Sequence, residues 1–140
     1  MTDTTPIPED RPLTIAESAL VHWLLLHGMP QAATYLPQLD RARVASRCHC
    51  GCASINFVID GVTPPTGQRI HILSDFEWQA AGGELYGVFV FEIGDLLAGL
   101  EVWSQDGLGE AVNLPPLELL RPLGTSVTPD VSSSLRLTRI

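Results

Sequence analysis

The chain has 140 residues, enough for one domain with a core of its own. Its basic residues are all arginine, and eight of them against sixteen acids leave a formal net charge of −8. That balance argues against nucleic acid, whose phosphates need a basic surface. The absence of lysine excludes a Walker-type phosphate loop and a Schiff-base lysine.

Residues 1–12, "MTDTTPIPEDRP", are acidic and proline-rich and lack the positive start of a signal peptide. They read as a disordered leader on a cytoplasmic protein. A single domain is expected over 13–123. Thr14 and Glu17 form a capping box ahead of an apolar run, so a helix is expected over 14–27, closed by Gly28. Its centre is apolar nearly all round, which predicts burial on more than one side and a buried, hydrogen-bonded His22. The run "ALVHWLLL" is too short to cross a bilayer. A short second helix is expected over 30–39.

From residue 41 the pattern turns to period two. "RARVAS" (41–46) reads as a strand, and so does "SINFVID", with Ile55, Phe57 and Ile59 on one face. "RIHIL" (69–73) alternates with Ile70 and Ile72 inward. "YGVFVFEI" (86–93) is apolar on both faces, as in a central strand, and "AGLEVWS" (98–104) returns beside it. Pairing Phe91 with Leu100 would put Phe89 against Val102 on the core face. "LPPLELLRPL" (114–123) is expected to pack along an edge, and 124–140 has the composition of a flexible tail. The fold class that follows is α+β: N-terminal helices on a four- to five-stranded, mainly antiparallel meander.

All three cysteines fall within "RCHCGC", at every second position. In a straight strand they would form a row on one face, but Gly51 marks a bend. If 41–47 and 53–60 are neighbours, the cysteines sit on the loop between them and can converge. Zinc takes four thiolate or imidazole ligands, and Cys48, Cys50, Cys52 with His49 or His71 would supply them. A thiol-dependent chemistry would need a lowered thiol pKa, for which Arg47 is adjacent. The third reading is small thiols packed in a tight hairpin end, with no cofactor.

Arg41, Arg43 and Arg47 share strand parity. If 54–60 pairs with 69–73, Asn56, Arg69 and His71 join them on a face that could hold an anion or an acidic segment, or simply form cross-strand ion pairs. Asp75, Glu77, Glu92, Glu101 and Asp106 read as solvent-facing acids, with Glu92 and Glu101 on one face. Trp103 points outward and is a candidate interface residue. No nucleophile elbow, dinucleotide loop or "HExxH" is present.

"RCHCGC" leading into "SINFVID", then "GVFVFEIGDLLAGLEVWS" and "NLPPLELLRPL", resembles a family of small bacterial proteins of unknown function, over about residues 14–123. The "LEVW" hairpin is also similar to accessory and immunity-type proteins of bacterial toxin systems. The resemblance implies no catalytic residue. The expectation is a non-enzymatic module that binds a protein partner or forms a homodimer, with no nucleic acid and no membrane. The alternative is a zinc-binding or thiol-dependent protein built on Cys48, Cys50 and Cys52.

Overall fold

A computed structural model describes residues 6–123. Helix α1 (Ile15–His27) forms as the capping box demands. The Thr14 hydroxyl accepts from the Glu17 N–H at 3.0 Å, and the Glu17 carboxylate accepts from the Thr14 N–H at 2.9 Å. Leu20, Val21, Leu24 and Leu25 form one buried stripe. At roughly 1.5–3 kcal/mol per fully buried aliphatic side chain, this stripe outweighs propensity in holding the helix. Ile15 is 91 % exposed and His22 faces solvent, so the expectation of burial on several sides, with a buried His22, is not met. Helical content is apolar beyond the stripe without being covered there.

Gly28 ends α1 for a reason of space. A Cβ there would stand 2.3 Å from the Leu73 carbonyl oxygen, and the Met29 N–H donates to that same oxygen at 2.9 Å. The expected second helix is a 3-10 segment, Pro30–Tyr35, running into one turn of α2, Leu36–Leu39.

Seven strands follow the chain as β1 (Ile7–Pro12), β2 (Ala42–Arg47), β3 (Ile55–Ile59), β4 (Ile70–Gln79), β5 (Leu85–Ile93), β6 (Leu96–Ser104) and β7 (Arg121–Pro122). They form one antiparallel sheet in the order β1-β2-β3-β6-β5-β4-β7. The α+β class with an antiparallel sheet holds, but the sheet is larger than four or five strands. Residues 7–12 of the expected leader are the edge strand β1, paired with β2. An edge strand tolerates Pro8 and Pro12, because an N–H that faces outward has no ladder partner to lose. The expected tail, 124–140, lies outside the described residues.

The topology is not a plain meander. β4, β5 and β6 are joined by hairpins, and β3 lies beside β6, a Greek-key order. The pairing of 54–60 with 69–73 therefore does not form; β6 and β5 stand between them.

Two irregularities decide which side chains face the helices. A bulge between Ile72 and Ser74 reverses the parity of β4. Leu73 is 1 % exposed, whereas Ile70 and Ile72 are the exposed residues, opposite to the expected alternation. In the β5–β6 hairpin Phe91 pairs with Gly99, Phe89 with Glu101 and Val88 with Val102. The expected register is off by one, and a one-residue slip exchanges faces. Val88, Val90, Leu100 and Val102 are buried in the core with α1, while Phe89, Phe91, Glu101 and Trp103 share the opposite face, each half-buried.

Candidate metal centre

Residues 48–53 close the β2–β3 hairpin, as the spacing suggests. The Cys48 N–H donates to the Ser54 carbonyl at 3.2 Å, and the Gly51 N–H donates to the Cys48 carbonyl at 3.3 Å. Gly51 has φ +89°, a left-handed conformation open to glycine at little cost. The turn bends the cysteine row on itself. The Cys50 N–H points at Cys48 Sγ (3.4 Å) and the Cys52 N–H at Cys50 Sγ (3.3 Å). All three Sγ atoms lie within 4.8 Å of one another, and the three cysteines are free. Cys48 and Cys50 are closest, with their sulfurs 2.7 Å apart.

The loop is fastened from two sides. The Ser54 hydroxyl accepts from the Val102 N–H at 2.8 Å and donates to the Val102 carbonyl at 3.2 Å. The Ala53 N–H donates to the Ala111 carbonyl at 2.8 Å. Between loop, β6 and the 110–112 segment lies a cavity of about 320 Å³ lined by Cys48, Cys50, Cys52, Glu101, Trp103 and Glu110, among others. The Trp103 indole lies over Gly87, where a Cβ would come within 2.4 Å of Nε1. That Nε1 is buried and has no hydrogen-bond partner.

The thiols differ. The hydrogen bond with Cys50 and burial push Cys48 up to about 12. Bonds from Cys48 and Cys52 hold Cys50 below its ordinary value. Burial raises the Glu101 carboxyl, partly opposed by the Ser54 hydroxyl. Among the described residues, no arginine lines the cavity. The nearest in sequence, Arg47, pairs with Glu9 at 2.9 Å. No arginine among the described lining residues supplies the positive charge that activates a redox thiol, while backbone N–H groups aimed at sulfur stabilise thiolate charge in general.

The other candidate ligands and the anion face do not assemble. His49 is not part of the sulfur cluster. His71 is on β4, three strand spacings from β3, and its Nδ1 stands 2.9 Å from Glu92. Arg41 pairs with Asp60 at 2.6 Å and Arg43 with Asp10 at 3.4 Å. Asn56 donates to the Ser46 hydroxyl at 3.0 Å, and Arg69 is exposed beyond the start of β4. The three strand arginines are thus in ion pairs, the second of the two readings given above.

The acids are less exposed than expected. Glu77 is 1 % exposed, between Arg121 (3.2 Å) and Gln105 (3.1 Å). Glu92 is buried on the helix side, beside Tyr35 and opposite Leu97, so it does not share a face with Glu101. Asp106 does face solvent and accepts the N–H groups of Leu85 and Leu108. Sequence reasoning missed Ser54 and Glu110 and placed Glu101 in solvent. The available signal was the shared parity of Glu101 and Trp103, which needed the strand order to be read.

Comparison of the chain with protein-family models, curated proteins and solved structures finds no match. Among the described residues, no helix is long and apolar enough to cross a membrane.

Proposed function

We propose that this is a zinc-binding protein whose centre is Cys48, Cys50 and Cys52. The observation that carries the reading is three free sulfurs within 4.8 Å of one another in an acid-lined cavity with no arginine among its described lining residues. Deprotonated together, three thiolates beside two carboxyls would repel one another, and a divalent cation at their centre reverses that repulsion. Zinc–sulfur bonds of about 2.3 Å put tetrahedral sulfurs about 3.8 Å apart. Cys48 and Cys50 must open from 2.7 Å, a change of about 1 Å at the tip of a loop where Cys50 is exposed. The test is metal content and thiol titration on protein purified without chelator. One zinc per chain, released as three thiols react, supports the centre. Three thiols that react freely in metal-free protein, with no zinc taken up from solution, would remove it.

A second reading rests on Phe89, Phe91 and Trp103, half-buried on the sheet face opposite α1. Such a face suits a protein partner or a second copy of the chain. Sedimentation over a range of concentrations separates these. A dimer lost in Phe89→Arg supports self-association, and a monomer throughout rules it out.

A further inference from the structure

We infer that Glu101 supplies the fourth donor to the ion held by Cys48, Cys50 and Cys52, making the site a Cys3Glu centre for zinc rather than a three-thiolate site for a monovalent soft ion. This rests on the zinc-binding reading above. Zinc in a closed site takes four ligands, and the three cysteines leave one position. His71 is three strands away, and His49 is exposed and outside the cavity lining. Two carboxylates line the cavity, Glu101 and Glu110, and their supports differ.

Glu101 sits within β6, where it faces Phe89 on β5. On the other side β3 meets β6 with Ile55 opposite Leu100, which places Ser54 beside Glu101, two residues after Cys52. The double bond of Ser54 to Val102 fixes that junction. Glu101 is half-buried and forms no ion pair with the described residues. A half-buried carboxylate on a strand, in the cavity that the three sulfurs line and with no guanidinium among the described lining residues, has only its own side chain to turn toward an ion held there; it is not part of the 4.8 Å sulfur cluster and closes on the ion when it binds. Glu110 is exposed and lies outside the strands, so ordering it on an ion costs more entropy. A carboxylate also decides between metals. Copper(I) is satisfied by two or three thiolates, whereas zinc accepts an oxygen donor.

The experiment uses the full chain. Zinc affinity is measured against a competing chelator, copper(I) affinity likewise, and the cobalt(II) form is recorded in the visible region. Glu101→Gln is expected to weaken zinc about 10- to 100-fold while leaving copper(I) unchanged. It should also shift the cobalt d–d bands. Glu101→Asp, which keeps the oxygen donor, should recover part of the zinc loss. Glu110→Gln, which removes a nearby charge and not the proposed ligand, should weaken zinc by less than Glu101→Gln and leave the cobalt bands in place. Thermal unfolding of each metal-free variant separates loss of fold from loss of a ligand. Equal zinc affinity and an unchanged cobalt spectrum in Glu101→Gln would overturn the assignment while the cysteine centre stands; so would a loss that appears in Glu110→Gln instead. Failure of the unaltered chain to bind zinc at all removes the centre and this assignment with it.

Discussion

Two acidic regions of this molecule are built on opposite terms. At the entry to α1, Glu17 accepts two bonds from the Arg11 guanidinium, at 2.9 and 3.0 Å, and a third from the Thr14 N–H. Arg11 also binds Glu9, which in turn binds Arg47 on the neighbouring strand. Charge there is neutralised internally, and the network ties β1 to β2 and α1. At the other region, three sulfurs, Glu101 and Glu110 line one cavity with no arginine among the described lining residues. The first region is complete as folded. In the second, Cys48 keeps its proton, and a divalent cation is what would hold all three sulfurs together as thiolates. The chain has no lysine, and Arg11, Arg41, Arg43, Arg47 and Arg121 all sit in ion pairs elsewhere.

The contrast is sharpest if each region is broken alone. Cys50→Ser is expected to cost at least about 100-fold in zinc affinity. Because Cys50 is exposed, metal-free stability should stay within about 0.5 kcal/mol. Glu17→Ala should do the reverse. It removes the capping box and both Glu17 bonds of the Arg11 guanidinium, which keeps only Glu9 and the Pro12 carbonyl, for about 2–3 kcal/mol in urea unfolding, with zinc affinity unchanged. If both variants lost both properties, the regions would be one cooperative unit and the distinction would fail.

The same carboxylate has a pH signature. Burial alone would raise Glu17, but the Arg11 and Thr14 bonds outweigh it and hold the group below its ordinary 4.5. A depressed carboxylate stabilises the fold above its unfolded value and loses that contribution as pH falls through the folded one. The stability gap between the wild-type chain and Glu17→Gln should therefore be constant from pH 7 down to about 5 and shrink in more acid solution. A gap that widened on acidification would contradict the ion pair.

A smaller effect is expected where a strand glycine supports the cavity from behind. Gly87→Ala places a Cβ within 2.4 to 2.7 Å of the Trp103 indole, so the ring has to move. Overpacking of this kind costs about 1–3 kcal/mol, and the displaced Trp103 should change the intrinsic fluorescence. An unchanged emission spectrum would mean that the ring does not rest on Gly87 in solution.

Local signals in the sequence survive in the fold, and the failures lie where the sheet decides. Thr14 and Glu17 could be read because a capping box is complete within four residues. The alternation of Ile55, Phe57 and Ile59 could be read because β3 has no bulge. In β4 the alternation of 69–73 holds but its faces are exchanged: Ile70 and Ile72 precede a bulge on the face of Phe91, Leu73 is the buried one, and the core-facing positions that would have shown it, Ser74 and Phe76, follow the bulge. β1 was hidden by its prolines, which suit an edge strand as well as a disordered leader. The convergence of the cysteines was legible from Gly51 between two strands. The part played by Glu101 was not, because it depends on β3 lying beside β6, a contact between residues 45 apart in the chain that no local pattern encodes.

The smallest expected effect tests whether pairing or burial makes the α1 entry matter. Arg41 and Asp60 form the shortest ion pair among the described residues, at 2.6 Å, yet both side chains are about half exposed. Glu17 is only 10 % exposed in its pair with Arg11. An exposed pair gives back in side-chain entropy and salt screening most of what it gains, so Arg41→Ala should cost no more than about 0.5 kcal/mol. That residual should fade further in high salt, while the Glu17→Ala loss persists because water and counterions are held off that pair. A loss at Arg41 as large as that at Glu17 would show that the hairpin end at Asp60 depends on its ion pair, and that distance rather than burial ranks these contacts.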